Sequence, residues 1–425
     1  MAEDSKNNAA WLNIFDELDI RSHLLSEGLF KITAKTIHKF GGREPRLMTK
    51  FDHRKSRPKI MQTLGITVLP ITNGEYVLLS GDGYCSIPPP NTVERYDPKS
   101  IGNFQTLRWQ EGLRSEPQVI DTLFCASALR SFLGDQTLTL TLRGKLRSKP
   151  FNFTFKTENH GVQRVAVNGV QIEIDSGYEG QEVAVVEAKF GETSDLIIRQ
   201  LFYPYRHLLE SGISKKIRLI YLIYSNKVFS LYEVAFGDPN QYHSCKITRQ
   251  KHYTLEKLNK LPTFAEIVTN ARPRPHGRAP FPQADDASKI IDVIELLFAN
   301  PLSKSEIAEH FEVDPRQGDY YGNAAAWLGF AEKSRGQFYL TLQGTRLAHM
   351  SRADRITTLA ESVAAMPVFR EVTRFEAKGG AMTAAEISEL IARKAGLTGS
   401  TPTRRASTVR SWIDWLKAQL SKPEA

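Results

Sequence analysis

The eight residues Val183–Phe190, VAVVEAKF, constrain this chain more than any other stretch. Val183 to Val186 is a near-continuous apolar run, the mark of a strand covered on both faces. At its end stand Glu187 and Lys189. Side chains alternate along a strand, so these two project together while Val186 and Ala188 project the other way. Two charged groups leaving a buried strand side by side are costly without a partner. The preceding stretch, IEIDSGYEG (172–180), offers Asp175, with 177–180 read as the turn into the next strand. Glu173 shares the face of Asp175 and can join or replace it.

A buried strand needs a sheet around it. Strand-like runs lie at 137–146, 151–157, 164–175, 182–190, 216–225 and 227–236. A helix is expected from the Ser115 cap to Gly134, with Val119, Leu123, Ala126 and Leu129 on one face. A second is expected from Ser194. The fold class expected is a multidomain α+β or α/β protein, with a central mixed sheet flanked by helices.

The chain has 425 residues, enough for two to four compact units. Residues 1–105 read as an N-terminal α+β accessory or recognition domain, with a hairpin around Asn73-Gly74 and a basic stretch at 41–60. Residues 106–270 hold the sheet, and 271–284 form a basic, Pro-rich linker. Residues 285–350 read as three helices and a hairpin, the winged form of helix-turn-helix. Residues 351–425 read as a second, similar helical domain.

The formal net charge is +9, which suits a polyanion partner. The three cysteines, Cys85, Cys125 and Cys245, show neither disulfide nor zinc spacing, which fits a reducing cytoplasm. The N-terminal stretch starts acidic without a signal pattern, and no apolar run approaches ~20 residues, so no membrane association is expected. No Gly-rich phosphate loop is present, so ATP is not expected.

Two carboxylates and a lysine are what phosphodiester hydrolysis asks for. Asp175 and Glu187 can hold a hard cation such as Mg²⁺, which takes oxygen ligands and keeps several waters. Lys189 can orient or deprotonate the attacking water and offset transition-state charge.

Asp175…Glu187-Ala188-Lys189 resembles the D-(x)n-E-x-K motif of the PD-(D/E)XK nuclease superfamily, with Ile174 where many members have proline. The resemblance implies a nuclease core and roles for further residues. Gln200 and Tyr203 resemble a glutamine–tyrosine pair that follows the lysine in relatives; a packed amide and a core tyrosine is the alternative. Glu116 resembles a first-helix glutamate that reaches the metal; the alternative is an acid placed favourably at a helix N-terminus. REPRLMTKFD (43–52) with ITVLPITNGEYVLL resembles the N-terminal region of bacterial type II restriction endonucleases. RQGDYYGNAAAWLGF (316–330) and TRRASTVRSWIDWL (403–416) resemble winged-helix segments appended to such enzymes.

The function implied is a site-specific, Mg²⁺-dependent endonuclease acting on double-stranded DNA as a homodimer. Two alternatives stay open: a modification-dependent enzyme reading a methylated base, and a winged-helix regulator with a degenerate nuclease fold. DNA contacts are expected from Arg43, Arg46 and Lys50 in the basic stretch. Arg316, Gln317, Tyr320 and Asn323 are expected to start a recognition helix. Arg404, Arg405 and Arg410 are expected to clamp phosphate, with a helix capped near Thr403.

Overall fold

The computed structural model describes residues 3–98, 101, 104–107, 109, 112–275, 279–311 and 313–421. Residues 276–278 of the expected linker lie outside the described residues.

The N-terminal unit contains α1 (Glu3–Glu17), α2 (Ile20–Glu27), β1 (Leu29–Thr33), α3 (Ala34–Gly41), α4 (Pro45–Thr49), α5 (Lys59–Thr63), β2 (Ile66–Thr72) and β3 (Glu75–Ser80). Its strands pair in the order β1-β3-β2, and Gly74 at φ 100° makes the expected turn. Trp11, Ile14 and Phe15 of α1 pack on Met48, Met61 and Leu78 in a core of their own.

The middle unit continues with β4 (Tyr84–Ser86), β5 (Glu94–Arg95), α6 (Glu116–Cys125), α7 (Ala128–Leu133), β6 (Thr139–Arg147), β7 (Phe151–Lys156), β8 (Val162–Val167) and β9 (Gln171–Glu179). It is completed by β10 (Val183–Phe190), β11 (Asp195–Ile197), α8 (Arg199–Glu210), β12 (Ile217–Ser225), β13 (Val228–Phe236), β14 (Cys245–Thr254) and α9 (Phe264–Asn270). Seven strands form one mixed sheet, β5-β14-β13-β12-β10-β9-β6, with β10 parallel to β12 and antiparallel to β9. All eight residues of β10 are buried. Ala184, Val186 and Ala188 join the core under α6 and α7, while Val183 and Val185 join Leu201 and Leu208 of α8 on the other face. Alternation therefore aims Glu187 and Lys189 at the α8 side.

Several expectations are corrected here. Strands β4 and β5 pair with β11 and β14, so residues before 106 belong to the sheet unit rather than to the N-terminal one. The run 164–175 is two strands: Gly169 (φ 65°) turns the chain between them, and β8 pairs with β7 outside the main sheet. Strand β9 runs through Gly177 to Glu179, with Gly177 paired to Val185. Glycine stands there because a Cβ would lie 2.9 Å from the Leu142 Cβ, not because the chain turns. The helix expected from Ser194 begins at Arg199. Asp195 is instead held by the His53 ring at 3.0 Å and the Arg54 backbone N–H at 3.2 Å, which keeps Asp195–Ile197 extended as β11.

The C-terminal unit comprises α10 (Ser288–Ala299), β15 (Leu302–Ser303), α11 (Lys304–His310), α12 (Pro315–Trp327), β16 (Ala331–Ser334), β17 (Gln337–Leu340), α13 (Leu342–His349), α14 (Arg352–Ala365), α15 (Pro367–Ala377), α16 (Ala384–Ala395) and α17 (Thr401–Leu420). Helices α10–α12 with the β15-β17-β16 sheet give the expected three helices and hairpin. The rest does not repeat that pattern: residues 352–420 carry helices and no strand among the described residues. Nor is it a separate body. Trp412 of α17 lies 6.4 Å from Trp327 of α12 and 5.3 Å from Phe369 of α15, ring to ring. The expected linker is likewise packed in, with Phe281 against Phe369 and Ala284 accepting the Trp412 indole N–H at 2.6 Å. No described helix is long and apolar enough to cross a membrane.

Candidate functional site

Strands β9 and β10 pair down to Val186 and Ser176, and no pair follows. Beyond that point the Asp175 carboxylate takes the Ala188 backbone N–H at 2.8 Å, so a side chain replaces the ladder where the strands part. The same separation opens a cleft of about 440 Å³. Its lining includes Glu116 from α6, Glu173 and Asp175 from β9, Glu187 and Lys189 from β10, and Gln200 from α8. All six acid, lysine and amide candidates read from the sequence thus meet in one place.

Lys189 lies among the acids. Its ammonium is 3.3 Å from Glu187 Oε1 and 3.7 Å from Glu116 Oε1. One ammonium does not balance the negative charge gathered there. Burial pushes the Glu187 carboxyl well above the usual carboxylate range, and Asp175 pushes it further; Lys189 opposes this, while Glu116 and Asp52 add to it. Ser115 caps α6 by accepting the Gln118 N–H, which fixes Glu116 in the first helical turn facing the cleft. The Gln200 Oε1 atom is buried without a hydrogen-bond partner. Tyr203 is fully buried and donates its hydroxyl to the Pro70 carbonyl at 2.9 Å, so its part is to join α8 to β2.

The cleft fits a small hard cation in its donor chemistry. Its acids offer oxygen only, Glu187 carries an excess of neighbouring negative charge, and Mg²⁺ needs one or two carboxylates with waters for the rest. Among the described residues no group of three or more His, Cys, Asp or Glu forms a preassembled metal cage.

Cations border the opening. Arg46 and Lys50, expected as DNA contacts, line the cleft together with Arg199. Arg46 and Lys50 also line a neighbouring cleft of about 570 Å³ that runs past Arg43 to Asp314 and Pro315 at the start of α12. Arg43 donates to Asn7 Oδ1 at 3.1 Å. Sequence motifs do not single out Arg199 or Asp52. Asp52 is buried and pairs with Lys50 at 3.3 Å and Arg199 at 3.8 Å, which holds both cations toward the site. The position of Arg199 directly before Gln200 was the available signal.

On α12, Arg316 and Gln317 are exposed, Tyr320 and Asn323 are half-buried, and Tyr321 is core. Asn323 donates to Asp319 at 3.0 Å, and Arg316 lies over the Tyr320 ring at 5.5 Å. The N-terminal end of α17 comes to the same place. Burial and then Arg404 hold the Arg405 guanidinium below its usual value, with Arg316 adding to the repulsion and Tyr320 and Asp285 opposing it. Helix α17 starts at Thr401, two residues before the expected cap. The Arg404 N–H consequently bonds the Ser400 carbonyl and is not free for phosphate. Arg410 does not join this patch. It pairs with Glu376, which is almost wholly buried and also holds Lys417, and it donates to the Met382 carbonyl.

Three family models match successive stretches, each described as a domain of unknown function: DUF6996 over residues 8–78, DUF6997 over 80–254 and DUF7226 over 289–421. The chain matches no curated protein and no solved structure. The cleft acids, Lys189 and Gln200 all lie in the second stretch, and the third covers the C-terminal unit from the second residue of α10 onward.

Proposed function

We propose that the chain is a Mg²⁺-dependent endonuclease of the PD-(D/E)XK type, cutting double-stranded DNA as a restriction enzyme does. The observation that carries this reading is the meeting of Asp175, Glu187, Lys189 and Glu116 in one cleft at the end of a fully buried strand. A sheet with only a structural role has no use for that charge, which disfavours a regulator with a disabled nuclease fold.

Asp175 and Glu187 would hold the cation, with Glu116 or Glu173 as a further oxygen donor. A divalent cation bound there supplies Lewis acidity to a phosphate oxygen and lowers the pKa of water. The residues of the chain do the rest. Lys189 orients the attacking water and offsets the charge growing on the phosphate, in a setting where most competing solvent is excluded. Gln200 has a free carbonyl oxygen to orient the nucleophile.

Arg46, Lys50 and Arg199 would receive the DNA backbone beside the cleft. Arg43 continues that basic edge toward the winged-helix unit, where Arg316, Gln317, Arg404 and Arg405 would add phosphate and base contacts. A homodimer would bring two such clefts to the two strands of a palindromic site.

The test is a pair of digests of plasmid DNA, unmethylated and methylated, each with Mg²⁺ and with EDTA. Discrete fragments with Mg²⁺ and none with EDTA are expected. Cutting of the methylated plasmid alone would make the enzyme modification-dependent, and no cutting under any condition would remove the nuclease reading.

A further inference from the structure

We infer that Cys85 and Cys245 form a reversible redox pair: hydrogen peroxide oxidises the Cys85 sulfur, Cys245 closes a disulfide on it, and a thiol reductant reopens the bond. Both cysteines are free and half-buried. They come from distant parts of the chain, Cys85 from the middle of β4 and Cys245 from the first residue of β14, and pack against the same apolar clusters. Their side chains are hydrogen-bonded to each other, the Cys245 thiol donating to the Cys85 sulfur. The backbone holds them in that contact. The Tyr242 hydroxyl donates to the Gly83 carbonyl at 3.3 Å, and the His243 ring lies 2.9 Å from the Asp82 carbonyl. Residues 82–85 and 242–245 therefore lie against each other before any bond joins the sulfurs, and a disulfide needs no large movement of either segment.

The two thiols are unequal, which sets the order of events. The Arg54 guanidinium donates to the Tyr84 carbonyl at 2.9 Å and to the Ser86 hydroxyl at 3.2 Å, on either side of Cys85. The hydrogen bond from Cys245, and then the Arg54 charge, hold the Cys85 thiol below its ordinary pKa against the opposing effects of burial and Asp82. The same hydrogen bond, with burial, keeps Cys245 protonated. Cys125 has no such help: burial and then Asp121 raise its thiol. The thiolate is the reactive form, so Cys85 meets peroxide first. Its sulfur attacks one peroxide oxygen, the O–O bond breaks, and the departing hydroxide leaves as water, giving a sulfenic acid on Cys85. The Cys245 sulfur then attacks the Cys85 sulfur. The S–O bond breaks, the S–S bond forms, and the hydroxide leaves as a second water with the Cys245 proton. Peroxide is reduced and the two thiols are oxidised, two electrons in all. The bond ties β4, whose partner β11 leads into α8, to the end of the sheet strand β14.

The test treats the reduced full chain with a small excess of hydrogen peroxide in EDTA, counts thiols after denaturation and maps the linked peptides. A fall from three free thiols to one is expected, with Cys85 joined to Cys245 within one chain, Cys125 unlinked, and all three thiols restored by dithiothreitol. Cys245→Ser should leave Cys85 as a sulfenic acid captured by dimedone. Cys85→Ser should keep Cys245 reduced, its thiol lost at least about tenfold more slowly than in wild type. The wild-type map decides by itself should a variant misfold. Three thiols surviving, a link through Cys125 or between two chains, or loss of Cys245 at the wild-type rate in folded Cys85→Ser, overturns the proposal.

Discussion

Replacing Glu187 with Gln should make this protein more stable at neutral pH while removing the proposed DNA cleavage. The Glu187 side chain is only 10% exposed, and its carboxylate lies 3.3 Å from the Lys189 ammonium. In an effective dielectric of about 20 that pair attracts by about 5 kcal/mol. Burial and the negative charge of Asp175, Glu116 and Asp52 outweigh that attraction, because the carboxyl is held well above its usual range. The sign of the pH dependence follows. A carboxyl with a raised folded-state pKa keeps its proton in the folded protein after the unfolded chain has lost it. Its stabilising contribution is complete below the unfolded value of about 4.3 and is lost as pH rises through the folded value. Gln cannot ionise and removes that loss, a gain of about 0.5–2 kcal/mol, typical where a strained functional group is relieved. Urea midpoints at pH 4.5 and 7.5 read this directly. Glu187→Gln should exceed wild type at pH 7.5 and approach it at pH 4.5. Mg²⁺ should shift the wild-type midpoint, by about 1.4 kcal/mol at ten times its Kd, and leave the variant unmoved. A variant less stable than wild type at pH 7.5, or an equal response to Mg²⁺ in both proteins, would refute the reasoning.

Three further outcomes are expected. Arg404→Ala with Arg405→Ala should weaken binding to all DNA sequences alike and flatten the plot of log affinity against log salt, measured by fluorescence anisotropy. Arg410→Ala should leave that salt slope unchanged and lower stability by about 1–3 kcal/mol, because it strips a partner from buried Glu376; thermal unfolding reads the difference. Gly177→Val should cost about 1–3 kcal/mol by overpacking, since its first side-chain carbon would lie 2.9 Å from Leu142 Cβ; a midpoint equal to wild type would show that β6 yields there.

What could be read in the sequence is what local chemistry sets. The run VAVVEAKF announced a strand covered on both faces, and alternation alone aimed Glu187 and Lys189 together. Ser115 announced the α6 cap that holds Glu116, and Asn73-Gly74 announced a hairpin. What escaped reading depends on partners distant in the chain. Gly177 looks like a turn residue until Leu142 is seen opposite it. Asp195 looks like part of a helix start until His53, 142 residues away, holds it in a strand. Arg410 looks like a free charge on an exposed helix, yet it covers Glu376 across 34 residues. Residues 351–425 share helical periodicity with a winged helix but contain no strand among the described residues, and the Trp327, Phe369 and Trp412 cluster that merges the two stretches is invisible to periodicity.

The most direct measurement of the central claim is the single-turnover rate of DNA cleavage by wild type, Asp175→Asn, Glu187→Gln and Lys189→Met, with Mg²⁺ and with EDTA. Wild type should cut with Mg²⁺ alone, and the three variants should not cut, although each should stay folded and bind DNA about as tightly as wild type. Cutting by wild type in EDTA, or a folded variant that cuts at the wild-type rate, would contradict it.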